Sequence, residues 1–164
     1  QQRLSLKKKV EEGVLLLHQR LTNLGLREHE INGDGNCQFR SFSYEMYGTD
    51  RYHLAVRRKA VEYMRANRDD FAVFFSGRRG FDSYLTQLQR PKQWGDELTL
   101  RAISDCYGVQ VHVLTSNPEN WYLRYDPPGP AARGERRQLF LCYVAPVHYS
   151  VLAPCQEEGE GAAA

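Results

Sequence analysis

The spacing of apolar residues along this chain changes at Gly108. Before it, apolar positions recur every three or four residues, and after it they alternate with polar residues or run together. A period near 3.6 predicts amphipathic helices, whereas alternation predicts strands. The chain is therefore expected to form a helical part followed by a small sheet.

The first predicted helix runs from about Leu4 to Leu24 and ends at Gly25. Its apolar residues are spaced by four and three positions, which places them on one face. This stripe consists of Val10, Val14, Leu17, Leu21 and Leu24. We expect residues 1–27 to form an N-terminal amphipathic helix distinct from the domain that follows.

Further helices are predicted between turns that contain glycine or proline. A helix from Gln38 to Tyr47 begins directly after Cys37 and ends at Gly48. Asp50 is expected to cap the next helix. The last helix is expected to lie between Asp96 and Gly108. The remaining helical signals are a stripe of Tyr52, Val56, Ala60 and Tyr63, and two shorter pieces at 71–75 and 81–88.

Strands are predicted in the second part of the chain, at 109–114, 121–125, 138–144 and 148–152. Segment 138–144 is continuously apolar, which predicts burial on both faces. It is expected to pair with 148–152 as a hairpin across Pro146. Helices followed by strands indicate an α+β domain, with the helical part packed on a small central sheet. Residues 155–164 are acidic and rich in small residues, and are predicted to be a disordered tail.

Charge and cysteine usage restrict the function. A formal net charge of +2 gives no reason to expect nucleic acid or anionic lipid as a partner. Apolar runs are too short for a membrane span. The four cysteines lack the close spacing of a zinc site or a disulfide framework. Reduced thiols, a cytoplasmic or nuclear location, a monomer, and neither metal nor cofactor are expected.

Cys37 has the most unusual surroundings of the four cysteines. It follows Gly33-Asp34-Gly35-Asn36 at the predicted start of a helix, where the helix dipole and free N–H groups favour a thiolate. Glycines allow successive N–H groups to point into one concavity, as an oxyanion hole requires. The N–H of Cys37 and that of Asp34 or Gly35 are the candidate donors. Asp34 is expected to hold the loop through hydrogen bonds to its backbone.

His148 is the candidate base. It lies far from Cys37 in sequence, at the start of a predicted strand. A nucleophilic cysteine and its histidine usually meet in space rather than in sequence. Each residue alone is more often structural, but the pair, in this order across a helical and a sheet part, favours a cysteine protease.

Four sequence blocks resemble those of the ovarian-tumour (OTU) family of deubiquitinating cysteine proteases. They are 34–40 (DGNCQFR), 94–100 (WGDELTL), 109–114 (VQVHVL) and 147–150 (VHYS), in the family's order and at similar spacing. The resemblance implies a papain-like fold over residues 28–154. It also implies hydrolysis of the isopeptide bond between the C-terminal glycine of ubiquitin and a lysine, with ubiquitin or polyubiquitin as the partner.

The same resemblance implies roles for individual residues. Cys37 would be the nucleophile, His148 the general base and Asp34 an acid counted with the active site. The family commonly carries Asn or Asp two positions after the histidine to orient the imidazole, and here that position is Ser150. A serine hydroxyl is short and uncharged, so either it orients His148 weakly or another group, such as Asn32 or Asn36, does so.

The resemblance also indicates where substrate would bind. It places Trp94 and Gly95 along a narrow cleft, with Gly95 leaving room for the substrate backbone, and Tyr149 next to the base as a possible wall. Packing in the core would explain Trp94 and Tyr149 equally well. Two alternatives stay open for the function: a weakly active or inactive ubiquitin-binding module, and a protease for another ubiquitin-like modifier.

Overall fold

The computed structural model describes residues 1–130 and 136–156 of the chain. The predicted disordered tail at 155–164 therefore lies mostly outside the described residues. Within the described ranges the chain forms six α-helices: α1 Gln2–Asn23, α2 Cys37–Tyr47, α3 His53–Ala66, α4 Arg68–Phe71, α5 Gly77–Leu88 and α6 Glu97–Tyr107. Five strands accompany them: β1 Leu26–His29, β2 Gln110–Thr115, β3 Tyr122–Tyr125, β4 Gln138–Val144 and β5 His148–Pro154. None of the helices in these ranges has the length and apolar character needed to cross a bilayer.

The strands form one mixed sheet in the order β1-β5-β4-β2-β3. Strands β2 and β4 pair in parallel, and the other neighbours are antiparallel. The predicted β4–β5 hairpin is confirmed, with Val144 opposite His148. Strand β1 was missed in the sequence because Leu26–His29 is short, polar and lacks alternation. It pairs with β5, and it runs across the predicted boundary between residues 27 and 28.

The main core lies between one face of the sheet and helices α2, α3, α5 and α6. It is built from side chains that are fully buried, among them Phe39, Phe42, Val56, Phe81, Leu100, Val111, Leu141 and Val151. This arrangement confirms the predicted α+β class with helices packed on a small central sheet. The core also fixes α2 directly against β5, so that the start of each element can contribute to one site.

Helix α1 covers part of the opposite face of the sheet. Leu17 and Leu21 are buried there against Leu114, Cys142 and Leu152. The rest of the predicted stripe stays out of the contact, since Val14 is 44% and Leu24 54% exposed. The prediction that β4 is buried on both faces is wrong for the same reason: α1 does not reach Phe140, which is 41% exposed.

Helix boundaries follow the predicted capping residues with one exception. Asp96 caps α6 through a capping box with Thr99, and Gly108 ends it in the left-handed conformation. The prediction that Asp50 caps α3 is wrong. Asp50 lies in a 3-10 turn whose cap is the Thr49 side chain, and its carboxylate accepts from Arg40 instead. The competing ion pair removes Asp50 from the capping role.

Candidate active site

Cys37 is the first residue of α2 and is almost fully buried. Its Sγ accepts a hydrogen bond from the backbone N–H of Tyr149 at 3.4 Å. Tyr149 is the second residue of β5, so this contact joins the start of the helix to the start of the strand. The contact brings the thiol beside the backbone of the residue that follows His148.

His148 is half-buried at the first position of β5. Its ring lies against the loop that leads to Cys37: a Cβ built on Gly33 would be 3.7 Å from Nδ1 and 3.8 Å from Cε1. The fold therefore brings Cys37 and His148 into one site. Within residues 1–130 and 136–156, no hydrogen bond joins the imidazole to Sγ of Cys37.

Burial and helix position act on the pKa of Cys37 in opposite directions. Burial raises the pKa of the Cys37 thiol. The N–H groups of Tyr149, Gln38 and Cys37 itself act in the opposite direction, but desolvation outweighs them. The N–H groups at the helix N-terminus therefore act towards the thiolate, as predicted, but burial of the sulfur has the larger effect on the pKa.

Asp34 holds the loop before Cys37, as predicted from its residue type. Its carboxylate accepts from the N–H of Asn36 at 3.1 Å and from Nη2 of Arg40 at 2.7 Å. These bonds, the ion pair first, hold the pKa of Asp34 well below its usual range. Arg40 also contacts Asp50 at 3.0 Å. The Asp34 carboxylate is therefore fully engaged with the loop and α2.

The predicted oxyanion loop needs glycine at position 35. Gly35 has φ +86°, and a Cβ there would overlap the carbonyl oxygen of Lys92. Only glycine combines this conformation with such a close approach. In the part of the chain that the structure describes, the N–H groups of Asp34, Gly35 and Cys37 donate to no other residue. Each of these three N–H groups is thus left unengaged by the described residues.

A small groove opens beside Cys37. Trp94, Gly95, Tyr143 and Tyr149 are among the residues that line it. Trp94 is 57% exposed, so it does not fill the core. Tyr149 is buried and stacked on Tyr143 with ring centroids 4.1 Å apart, so it both packs and forms a wall. All three residues predicted for the cleft therefore line it.

The reason for glycine at position 95 differs from the prediction. A Cβ on Gly95 would overlap Oε1 of Gln38, so the missing side chain makes room for Gln38 rather than for substrate. Gln38 is buried, donates to the carbonyl of Asp96 at 3.1 Å and accepts from Thr99 Oγ1 at 2.5 Å. Sequence reasoning missed it, although a glutamine next to Cys37 on the inner face of a helix was a visible signal.

The structure does not bring Ser150 to the imidazole. Its hydroxyl is buried and donates to Glu28 Oε1 at 2.7 Å, and it lies 2.8 Å from Sγ of Cys142. Residues two positions apart on a strand share a face but are separated by about 7 Å, which a serine side chain cannot span. The described residues contain no hydrogen bond between Ser150 and His148.

The two asparagines considered as alternative orienters also make no hydrogen bond to His148 in the described ranges. Asn36 is buried, and its Oδ1 accepts from Arg57 at 2.9 Å and from the N–H of Lys92 at 2.7 Å. Asn32 is exposed. Among residues 1–130 and 136–156, the His, Cys, Asp and Glu side chains form no cluster of three or more that could hold a metal ion.

Known proteins share this fold. The structure of the OTUD1 OTU domain aligns with a TM-score of 0.74 at 21% identity, over 89% of this chain and 97% of that one. An OTU deubiquitinase from Wolbachia pipientis wMel bound to ubiquitin aligns with a TM-score of 0.59 at 20% identity, over 80% and 97%. These likenesses establish an OTU fold.

Sequence comparison gives closer relatives. The OVARIAN TUMOR DOMAIN-containing deubiquitinating enzymes 9 and 10 of Arabidopsis thaliana are 36% and 34% identical over 88% and 87% of this chain. The chain spans 39% and 40% of their lengths, so it corresponds to one part of each.

Fold and site together define a cysteine protease of the OTU type. The family model for OTU-like cysteine proteases matches residues 32–150, from the loop before Cys37 to the residues that follow His148. The chain belongs to the OTU-like cysteine protease family.

Proposed function

We propose that this chain is a deubiquitinase domain that hydrolyses isopeptide bonds after the C-terminal glycine of ubiquitin. The single observation that carries the proposal is the 3.4 Å contact between Tyr149 N–H and Cys37 Sγ, which makes His148 a neighbour of the thiol. Two related Arabidopsis proteins are named deubiquitinating enzymes, and one structure with the same fold holds ubiquitin. Ubiquitin or polyubiquitin is therefore the proposed partner.

In the proposed reaction Cys37 is the nucleophile and His148 the base. Sγ attacks the carbonyl carbon of the terminal glycine while its proton passes to the imidazole. The imidazolium then gives this proton to the leaving lysine amine as the C–N bond breaks. Water, deprotonated by the same imidazole, hydrolyses the thioester and regenerates the thiol. The raised pKa of Cys37 fits a thiol that loses its proton only when the imidazole reaches it.

The negative oxygen of the tetrahedral intermediate is assigned to the loop before Cys37. The unengaged N–H groups of Asp34, Gly35 and Cys37 are the proposed donors, as expected from the sequence. Asp34 contributes by holding this loop through Asn36 and Arg40, and not by contact with the imidazole. We assign the small groove lined by Trp94, Gly95 and Tyr149 to the terminal glycines, because a groove of this size excludes larger side chains.

The organisation around this site is part of the proposal. The catalytic domain is proposed to cover residues 28–154, with residues 1–27 as a helical addition and 155–164 as a tail. Contacts of α1 with the sheet and the pairing of β1 with β5 bind that addition closely to the domain. All four thiols are free, which agrees with a reducing cytoplasmic or nuclear compartment. A monomer is proposed as the working form.

Isopeptide-linked diubiquitin tests the proposal directly. The wild-type chain is expected to release monoubiquitin, and Cys37→Ala is expected to abolish release. Cys155→Ala serves as the matched control, because Cys155 is an exposed thiol at the end of β5 and its loss should leave the rate unchanged. Wild-type protein that releases no ubiquitin from a panel of all linkages, at equimolar enzyme, would contradict the proposal.

One observation favours a second candidate, a ubiquitin-binding module with weak or no activity. The thiol has no hydrogen bond to the imidazole in the described ranges, and Ser150 is engaged by Glu28. Such a module would bind ubiquitin without hydrolysis. Binding measured by calorimetry, together with absent cleavage in the diubiquitin assay, would select it over the deubiquitinase.

A further inference from the structure

Arg57 is a buried cation in α3 that the proposed chemistry does not use. It is 1% exposed, and no ion pair formed within residues 1–130 and 136–156 includes it. Desolvation lowers its pKa to about 10. A buried charge without a counter-charge is costly and persists when hydrogen bonds satisfy it. The groups that bind Arg57 therefore indicate what it holds.

The guanidinium of Arg57 connects two segments of the chain, one before α3 in sequence and one after it. Nη1 donates to the carbonyls of Leu88 at 2.8 Å and Gln93 at 2.7 Å, at the end of α5 and in the loop after it. Nη2 donates to Oδ1 of Asn36 at 2.9 Å, directly before Cys37. The plane of the group stacks on Phe39, 4.2 Å from the ring centroid. This planar fork is therefore held in one orientation between the two segments.

Asn36 continues the connection into the loop that carries the proposed oxyanion donors. Its Oδ1 also accepts from the N–H of Lys92 at 2.7 Å, and its Nδ2 donates to Asp34 Oδ2 at 3.2 Å. Lys92 has φ +67°, a conformation that is unfavourable for a residue with a side chain. Its carbonyl oxygen lies where a Cβ on Gly35 would be. Backbone strain that surrounding contacts hold in place is typical of functional sites.

We propose that Arg57 is a positioning residue: through Asn36 it clamps loop 33–37 to segment 88–93 and fixes the N–H groups of Asp34, Gly35 and Cys37 before substrate binds. The inference rests on the proposed function, because it assigns those N–H groups to the oxyanion. Donors fixed in advance need no reorganisation during the reaction, and removal of one such donor typically costs about 100- to 1000-fold in kcat. Arg57 acts on the rate without touching substrate.

A double-mutant cycle tests the clamp on ubiquitin with a C-terminal fluorogenic amide. Arg57→Met and Asn36→Ala are each expected to lower kcat about 100-fold and to change KM by less than about threefold. Because both changes open the same connection, the double variant is expected to lose no more than about 100-fold. Arg57→Lys should recover part of the rate, since an ammonium can still reach one of the carbonyls. Asn36→Ala carries the test if Arg57→Met does not fold.

Met64→Ala is the matched control for stability. Met64 lies in the same helix and is fully buried, but it belongs to the main core and is outside the clamp. It should lower the midpoint of thermal unfolding while kcat stays within about threefold of wild type at a temperature where the protein is folded. If Arg57→Met behaves in the same way, or if the losses of the two single variants multiply in the double variant, the clamp is contradicted.

Amide hydrogen exchange separates the clamp from the proposed function. The clamp predicts faster exchange in Arg57→Met, but not in Met64→Ala, at the amides of Asn36 and Lys92, which donate to Asp34 Oδ1 and Asn36 Oδ1, whatever the substrate. Wild-type protein without activity but with this exchange pattern would overturn the deubiquitinase proposal and retain Arg57 as the anchor of the loop. Active wild-type protein in which the two variants exchange alike at these amides would overturn the clamp alone.

Discussion

The loop that carries Cys37 is tied to three neighbouring segments, whereas the turn that carries His148 is tied by few bonds. Asp34 and Asn36 connect the loop to Arg40, Arg57 and Lys92. On the other side, the ring of His148 makes no hydrogen bond to any other residue of the described ranges, and its close neighbour is Gly33. Hydrogen bonds thus fix the nucleophile loop, while none in the described ranges fixes the imidazole.

This difference suits the two parts of the site to different roles in the proposed reaction. Fixed N–H groups suit the stabilisation of an oxyanion, which loses its value if donors must move. A base must contact first the thiol, then the leaving amine and then water, so one rigid hydrogen bond would hinder it. Catalytic hydrogen bonds are often long or absent before substrate binds. The described ranges contain no thiol–imidazole hydrogen bond, which therefore agrees with a site that forms this bond only when substrate binds.

The largest effect is expected at the base. His148→Ala should lower kcat/KM for a ubiquitin C-terminal amide about 10³- to 10⁴-fold, because no other group takes the thiol proton. Alkylation of Cys37 by iodoacetamide at pH 7 should change by less than about threefold, since the free thiol is not bonded to the ring. His18→Ala, on the exposed face of α1, is the control. Equal losses in both assays would show that the thiol and the imidazole are already hydrogen-bonded before substrate binds, which would contradict the difference between the two parts of the site.

The second largest effect on kcat is expected at Asp34, the acidic residue of the loop before Cys37. Asp34→Asn removes the ion pair with Arg40 and is expected to lower kcat about 10- to 100-fold through loop displacement. Asp50→Asn, which removes the second carboxylate on Arg40, is the matched control and should cost less than about threefold because Asp50 does not touch the loop. Similar losses in the two variants would show that the Arg40 position, and not the loop, is what matters.

The same variant has a pH signature. Because the pKa of Asp34 is lowered on folding, its contribution to stability is fully present above the unfolded pKa of about 4 and is lost as pH falls towards the folded value. Urea unfolding should show wild type more stable than Asp34→Asn at pH 6, with the difference shrinking below about pH 4. A difference that stays constant down to pH 3 would contradict the assignment.

A substitution at Gly95, which lines the groove beside Cys37, should have a smaller effect, mainly on stability. Gly95→Ala is expected to cost about 1–3 kcal/mol, because the new Cβ overlaps Gln38, which is held by Asp96 and Thr99. Gly80→Ala, inside α5 with only an ordinary contact 3.6 Å away, should be neutral or stabilising by up to about 1 kcal/mol. Equal stability of the two variants would show that Gln38 moves freely.

The smallest effect is expected at Ser150. Ser150→Ala should reduce kcat/KM by less than about tenfold, since the hydroxyl binds Glu28 and not His148. A larger loss, with thermal stability unchanged, would make Ser150 an orienter of the imidazole. It would also show that the ring of His148 is fixed by the protein.

Sequence reasoning succeeded where a local pattern determines structure. The periods of α2 and α6, their glycine ends and the β4–β5 hairpin could all be predicted, because each depends on neighbouring residues. It failed at β1 and at the Asp50 cap. Strand β1 exists because β5 offers an edge, and Asp50 is diverted by Arg40, so both depend on partners that are distant in sequence or compete with the local signal.

The site shows the same division. Residues that carry reactive groups, Cys37 and His148, were recognisable from type and context. The residues that support them were not, since Gln38 and Arg57 act through buried contacts with Thr99 and Asn36 that no spacing reveals. The net direction of the pKa shift at Cys37 could not be predicted, because helix position is visible in a sequence and burial of one sulfur is not.

The central claim is that the sulfur of Cys37 attacks the C-terminus of ubiquitin. Its most direct test is a ubiquitin carrying a C-terminal vinyl methyl ester, with the adduct mapped by mass spectrometry after digestion. We predict one ubiquitin per chain, attached to Cys37, and no adduct in Cys37→Ala. No adduct on wild-type protein, or attachment at the exposed Cys155 instead, would contradict the account.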